Sequence, residues 1–148
     1  MKIVKDNKLT VTKNSRFTMV YVDGYVLPVP KKNLQVYRKM AQQSGKIWKK
    51  RGALQYTECV GDDLNSKLSG IKFSKTVQAK TGEQIVFAFI VFKSKTHRDR
   101  VNAKVMKEFM KDPKTKDMSM PFDIKRMVYG GFKPLVNIWI ILMMLYQF

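Results

Sequence analysis

The apolar run at residues 85–92 constrains the fold more than any other feature of this sequence. Residues 83–92 read EQIVFAFIVF, and all eight side chains from Ile85 to Phe92 are apolar. A strand in a sheet with one solvated face alternates apolar and polar residues, whereas a strand covered on both faces reads as a continuous apolar run. The sequence therefore predicts a strand at 83–92 in a sheet that is covered on both sides.

Two amphipathic helices are predicted on either side of this strand. After Pro30, apolar residues recur at three- and four-residue spacing up to Gly52, which suits a left-handed helix cap. Ser94 or Thr96 is a candidate N-cap for the second helix, and Asp112 precedes the proline that stops it.

Three further strands complete the pattern, at residues 19–29, 53–60 and 125–132. Residues 71–82 form either a flap or a short helix. The element order is therefore βαββαβ, the ferredoxin-like arrangement of the α+β class, in which two helices cover one face of a four-stranded antiparallel sheet.

The second face of this predicted sheet also needs a cover, because the strand at 83–92 is apolar at every position from Ile85 onward and the first strand nearly so. The simplest cover is the same face of a second subunit. The burial pattern therefore predicts a homodimer with a two-fold, sheet-on-sheet interface.

The chain is strongly basic, with 29 Lys and Arg against 11 Asp and Glu and a net charge of +18 over 148 residues. Such a charge favours acidic partners, among them nucleic acid and anionic surfaces.

Cys59 is the sole cysteine and His97 the sole histidine, which excludes an intrachain disulfide and the usual Cys/His zinc sites. We predict no metal and no cofactor. The basic, polar first residues contain no apolar signal segment, so we expect a cytoplasmic protein.

Several motifs resemble the YbaA-like bacterial family of unknown function, and together they span most of the chain in the right order. The segments that carry the resemblance are YVDGYVLPVP at 21–30, GAL at 52–54, VFAF at 86–89, RDRVNAKVM at 98–106, SMPFD at 119–123, KRM at 125–127 and GGF at 130–132. The resemblance implies a dimeric α/β barrel, the superfamily in which that family is placed. It implies no activity, since members of the family have none established.

The resemblance also divides the chain into three parts. Residues 19–135 form the predicted domain, residues 1–18 a basic extension and residues 136–148 an apolar tail. As a helix, the 14 residues from Leu135 to Phe148 would be about 21 Å long, which is too short to cross a bilayer. Burial along the dimer interface, a partner groove and contact with a membrane surface all stay open.

The predicted strands carry candidate catalytic residues. Glu58, beside Cys59, and Asp23 on the first strand could place carboxylates near the barrel interior, where burial raises a carboxyl pKa toward the range for acid or base catalysis. The alternative is structural: Glu58 pairs with a basic residue, Asp23 caps a turn with Gly24, and Cys59 packs as a small hydrophobe.

Other candidates lie outside those strands. His97 near the start of the second helix could face a phosphate or act in proton transfer, or be an ordinary surface histidine. Asp123 and Arg126 could bind a polar ligand group at the barrel mouth, or form a structural ion pair. The tyrosines that could line a ligand site or donate hydroxyl groups are Tyr21, Tyr37, Tyr56 and Tyr129.

Three functions are compatible with these observations. The first is a homodimer that binds a small ligand in the barrel or between subunits. The second is a cofactor-independent enzyme, like some monooxygenases and isomerases of the same superfamily, with Glu58, Asp23, Asp123 or His97 moving protons; this follows from fold analogy. The third is a basic module that binds nucleic acid or another anionic partner through the clusters at 46–51 and 93–100.

Overall fold

The structure, a computed structural model, describes residues 20–68, 70–113 and 119–138. The predicted extension at 1–18 and residues 139–148 of the predicted tail lie outside these ranges. The elements follow the predicted order, with single 3-10 turns at Lys31–Asn33 and Ile124–Arg126: β1 (Tyr21–Pro30), α1 (Leu34–Arg51), β2 (Gln55–Val60), α2 (Phe73–Thr76), β3 (Glu83–Phe92), α3 (Lys95–Lys111) and β4 (Val128–Phe132).

The four strands form one sheet in the order β2-β3-β1-β4, and every neighbouring pair is antiparallel. β1 and β3 pair along their full lengths, from Tyr21 opposite Phe92 to Pro30 opposite Glu83. The ferredoxin-like α+β prediction is confirmed. The sheet of one chain is open, with β2 and β4 as its edges, so a single chain does not close a barrel.

The helix ends were predicted correctly from local chemistry. Ser94 Oγ accepts a hydrogen bond from the backbone N–H of His97 at 3.1 Å and so caps the start of α3. At the end of α1, Gly52 has a φ of +115° and donates to the carbonyl groups of Trp48 and Lys49. The undecided segment at 71–82 contains the short helix α2.

The last strand begins later than predicted, at Val128 rather than at residue 125. Residues Ile124–Arg126 instead form a 3-10 turn, because the Asp123 side chain accepts a hydrogen bond from the backbone N–H of Lys125 at 3.0 Å. This side-chain bond competes with the sheet ladder for the same backbone group.

The two long helices, α1 and α3, pack on the same face of the sheet, where alternate residues of the central strands form the core. One core cluster is centred on α1 and contains Leu27, Val29, Tyr37, Ala41 and Val86. The other is centred on α3 and contains Ala53, Ile90, Phe92, Val101 and Val105. The candidate side chains at this face therefore lie between the sheet and the helices.

The opposite face of the sheet is apolar and is exposed in the described part of the chain. Phe87 of β3 is 44 % exposed, and Val128 and Phe132 of β4 are 43 % and 60 % exposed. Thus α1 and α3 cover one side of the apolar strand β3, whereas on the other side Ile85 is buried and Phe87 is exposed. No helix in the described ranges is long and apolar enough to cross a membrane.

Candidate functional site

The Glu58 carboxylate is held by two tyrosine hydroxyls in the layer between α1 and the sheet. Tyr37 on α1 donates to Oε2 at 2.7 Å, and Tyr56 on β2 donates to Oε1 at 2.6 Å. Tyr56 and Glu58 share the helix-facing side of β2 because they are two residues apart on a strand. The strand and the helix therefore fix the carboxylate from two directions.

A close approach of α1 to the sheet keeps Tyr56 in this position. A Cβ atom on Gly45 of α1 would lie 2.8 Å from the Tyr56 ring, closer than real Cβ contacts allow. The absence of a side chain at Gly45 thus lets the helix rest directly on the ring whose hydroxyl group meets Glu58.

Two cavities adjoin this carboxylate. An inner one of about 190 Å³ has mainly aromatic and apolar walls, and an outer cleft of about 460 Å³ runs along α1 and includes polar side chains. Tyr37, Tyr56 and Glu58 line both cavities. The remaining walls of the inner cavity are Tyr25, Leu27, Met40, Ser44, Trp48, Ala88, Ile90, Phe122 and Met127.

The electrostatic environment keeps both tyrosines as hydrogen-bond donors. Burial raises the pKa of Tyr37 and of Tyr56 far above the usual value, and the adjacent Glu58 charge raises both pKa values further. Glu58 has no cationic side chain within ion-pair distance among the described residues, so the expectation that it pairs with a basic residue is wrong. Its partners are neutral because α1 and β2 place tyrosines, not lysines, around it.

Asp23 lies on the same face of the sheet but in a second cluster. Its side chain is 0 % exposed, and its nearest charge is the Arg98 guanidinium on α3, with Nε 3.4 Å from Oδ1. Neither carboxylate oxygen makes a hydrogen bond of good geometry. Burial raises the pKa of Asp23 more than Arg98 lowers it. The alternative that Asp23 caps a turn with Gly24 is wrong, because both residues pair within β1.

Arg98 connects this cluster to Tyr21. Its Nη2 donates to the Tyr21 hydroxyl at 3.1 Å, and its guanidinium lies over the Tyr21 ring, 4.9 Å from the centroid. Arg98 also contacts Asp99 at 3.1 Å. This predicted member of a phosphate-binding cluster therefore points into the fold, toward Asp23.

The two carboxylates lie in separate clusters on the same face of the sheet. Asp23 aligns with Ile90 of β3, whereas Glu58 aligns with Ala88, so a whole strand and a two-residue offset separate them. At the usual strand spacing this puts their backbones roughly 10 Å apart or more. Tyr25 on β1 lies opposite Ala88, and so lies between Glu58 on β2 and Tyr129 on β4. The ring centroids of Tyr25 and Tyr129 are 4.8 Å apart.

Tyr25 and Arg98 are the site residues that the sequence analysis missed. Tyr21, Asp23 and Tyr25 are two residues apart along a strand, so their side chains lie on one face. This alternation could have identified Tyr25 as a candidate. Arg98 had no comparable signal, because its surroundings in the sequence read as one exposed basic run.

His97 belongs to neither cluster. Its Nδ1 accepts a hydrogen bond from the backbone N–H of Lys93 at 3.2 Å, and its ring packs edge-on against Phe92. Burial, followed by the charges of nearby basic residues, lowers the pKa of His97. The imidazole is thus held neutral as part of the helix start.

Asp123 and Arg126 form an ion pair at 3.0 Å that is completed by a residue not singled out in the sequence, Glu83. Arg126 donates to both carboxylate oxygens of Glu83 at 2.7 Å, and to the carbonyl oxygen of Gln78 at 3.0 Å. The hydrogen bonds from Arg126 hold the pKa of Glu83 at about 2. This cluster ties the turn before β4 to the start of β3.

Cys59 lies on the other face of β2 and is exposed. Together with Phe73, Ile85 and Phe87, it lines a hollow at the edge of the apolar sheet face. Within the described ranges, no group of three or more His, Cys, Asp or Glu side chains could hold a metal ion.

These observations define an α+β protein of the ferredoxin-like kind, with an open antiparallel sheet and a polar cluster beneath its helices. The chain belongs to the family described as "Protein of unknown function (DUF1428)", whose model matches residues 20–124. The resemblance to the YbaA-like family is confirmed by relatives named "Uncharacterized protein YbaA" from Escherichia coli K12 and Shigella flexneri. Each is 40% identical over 122 residues, which are 80% of this chain and 99% of the relative.

Among solved structures, the chain is similar to a dimeric ferredoxin-like protein from an uncultured marine organism. The TM-score is 0.51 at 11% sequence identity, over 82% of this chain and 99% of the other. At this identity the likeness supports the fold alone. Neither the family nor these relatives have an established activity.

Proposed function

We propose that this chain is a cytoplasmic homodimer that binds a small organic molecule in the cleft between α1 and the sheet. The observation that carries this proposal is the Glu58 carboxylate, which two tyrosine hydroxyls orient at the junction of two cavities. Glu58 is partly buried, and no cation pairs with its carboxylate in the described structure, so the two tyrosine hydroxyls satisfy it instead.

The lining of the site indicates the chemical class of the ligand. The inner cavity of about 190 Å³ is comparable with the roughly 150 Å³ cavity that accommodates a benzene ring in an engineered protein. Its aromatic and apolar walls favour a ring or short alkyl group, and Glu58 favours a hydrogen-bond donor at one end. We expect alcohols, phenols and amines to bind and carboxylates to be excluded.

The dimer is supported by the apolar sheet face. Val22, Val26, Phe87, Phe89 and Phe132 belong to this face by strand alternation, and Phe87 and Phe132 are well exposed. A second copy of the same face would bury all of them in a two-fold packing. The similar solved protein is described as dimeric, and the exposed thiol of Cys59 suits a reducing compartment.

The ligand site is tested with three probes that share a benzene ring and differ in their polar group: benzylamine, benzyl alcohol and benzoate. In nitrogen-15 NMR titrations of the full-length chain, we expect the first two to shift the signals of Tyr37, Tyr56 and Trp48 at millimolar concentration. Benzoate should leave these signals unchanged. Equal responses to all three probes would overturn the proposed ligand class.

The matched variants are Glu58→Gln and Asp62→Asn, which each remove one negative charge. Losing a charge-assisted hydrogen bond of about 1.5–3 kcal/mol should weaken benzylamine binding roughly 10- to 100-fold in Glu58→Gln. Asp62 is exposed after β2, so its variant should bind like the parent. An unchanged affinity in Glu58→Gln, with the fold intact by circular dichroism, would refute a role for Glu58.

A further inference from the structure

A basic groove lies on the outer surface of the helix layer, away from the Glu58 cavities. It has a volume of about 430 Å³ and is formed by the end of α1 and the second half of α3. Its walls are five basic residues and one acidic residue: Lys50, Arg51, Lys104, Lys107, Lys111 and Glu108. Among the described residues, no apolar and no aromatic residue lines it.

The acidic residue in this groove is already neutralised. Glu108 forms ion pairs with Lys50 at 3.3 Å and with Arg51, and these hydrogen bonds lower the pKa of the Glu108 carboxyl. Lys104, Lys107 and Lys111 follow one another at three- and four-residue spacing, so they form a single stripe along α3. No acidic side chain in the described part of the chain pairs with these three lysines.

The surroundings of the groove strengthen its positive potential. α1 contains six basic and no acidic residues, and α3 contains six basic and two acidic residues, so the two helices carry a net +10 of the +18. Their outer surface points away from the apolar sheet face, and a dimer formed through that face would leave it accessible. In such a dimer each subunit would present one groove.

We propose that this groove binds the phosphate backbone of double-stranded nucleic acid without reading its sequence. Phosphates are the ligands that a dense set of lysines and arginines neutralises, with release of condensed counterions. The described walls of the groove include no aromatic side chain on which unpaired bases could stack, which disfavours a single strand. These described walls also include no apolar side chain to insert between lipid headgroups, which disfavours a membrane surface.

Salt dependence tests this proposal. The probe is a fluorescently labelled duplex DNA of 20 base pairs and mixed sequence, titrated with the full-length protein between 50 and 300 mM KCl. Each phosphate contact contributes about −0.9 to the slope of log K against log salt. In the triple variant Lys104→Gln, Lys107→Gln, Lys111→Gln, we expect the slope to become shallower by about 2.7, with weaker binding at every salt concentration.

The matched control is the triple variant Lys72→Gln, Lys75→Gln, Lys80→Gln, which removes the same charge from an exposed segment remote from the groove in sequence. For this control, the slope of log K against log salt should differ from that of the parent protein by less than about 1. Equal slopes in the two triple variants would overturn the proposal, because net charge alone would then explain binding. So would the absence of duplex binding at 50 mM KCl. Tighter, groove-dependent binding to vesicles with 30 % phosphatidylserine would also overturn it.

Discussion

At the scale of single residues, Asp23 is the most demanding side chain in this fold. It is a fully buried carboxyl whose counter-charge, Arg98, approaches to 3.4 Å without an aligned hydrogen bond. Burial raises its pKa above the usual 3.8, so ionisation of Asp23 costs the folded state more than the unfolded one. Its favourable contribution is present at low pH and is lost as the pH rises through the folded-state pKa.

Because Asp23 and Arg98 are in contact, we expect their substitutions to have non-additive effects on stability. Arg98→Met leaves the buried carboxylate without a counter-charge, and we expect it to lower the free energy of unfolding at pH 7 by about 3 kcal/mol. Asp23→Asn should be nearly neutral or stabilising, since Arg98 keeps its contacts with Asp99 and Tyr21. The double variant should therefore lose much less than Arg98→Met alone. Urea denaturation of all four proteins measures this coupling.

Two further results check this interpretation of Asp23. The loss in free energy of unfolding caused by Arg98→Met should become smaller as the pH falls toward 3.8, because Asp23 then takes up a proton. Arg100→Met, two residues along the same helix at an exposed position, should change stability by less than about 0.5 kcal/mol. If the double variant were as unstable as the sum of the single ones, Asp23 and Arg98 would be energetically independent.

At the scale of elements, the helix ends explain why α1 and α3 occupy their predicted places. Ser94 and Gly52 satisfy backbone groups that a helix leaves unpaired at its start and its end. The start of β4 differed from prediction for a related reason, because the Asp123 side chain engages the Lys125 amide and turns the chain before the strand begins. Arg126 then anchors this turn to Glu83 on β3.

Gly52 gives the prediction at this scale. Its φ of +115° is strained for any residue with a side chain, while the space for a Cβ is adequate, with His97 Nε2 at 3.4 Å. We therefore expect Gly52→Ala to lower the free energy of unfolding by about 1–2 kcal/mol through backbone strain. Gly70→Ala, where a Cβ would contact nothing within 4 Å, should have little effect. Thermal unfolding distinguishes the two, and equal melting temperatures would contradict this account of the cap.

At the scale of the whole molecule, the two faces of the sheet have different chemistry. The helix side encloses a core with polar clusters at Glu58 and Asp23, whereas the other side exposes Phe87, Val128 and Phe132. Exposed apolar surface of this kind is typical of an interface. The basic helix layer lies on the far side from it, so the proposed ligand cleft, the proposed dimer face and the basic groove are three separate surfaces.

The dimer face predicts a melting temperature that rises with protein concentration, since association stabilises only the folded chain. Phe87→Lys places a charge in the middle of the proposed interface, and we expect it to remove the concentration dependence and halve the mass measured by light scattering. Val36→Lys makes the same kind of change at an exposed position on α1 and should leave the dimer intact. A parent protein that is monomeric at micromolar concentration would refute the dimer.

The sequence by itself determined the fold class, the element order and both helix ends. These follow from short-range patterns: a continuous apolar run in EQIVFAFIVF, helical spacing after Pro30, and capping chemistry at Ser94 and Gly52. The same strand alternation put Tyr56 and Glu58 on one face. All of this information lies within a few residues along the chain, where backbone geometry sets the neighbours.

Only the tertiary structure decided which side chains meet. It gave Glu58 two tyrosine partners rather than a lysine, directed Arg98 inward to Asp23, and joined Arg126 to Glu83, 43 residues away. It also brought the end of α1 to the second half of α3, which made a groove from lysines that the sequence shows only as separate charges. Such contacts depend on strand register and helix packing, which a local pattern does not specify.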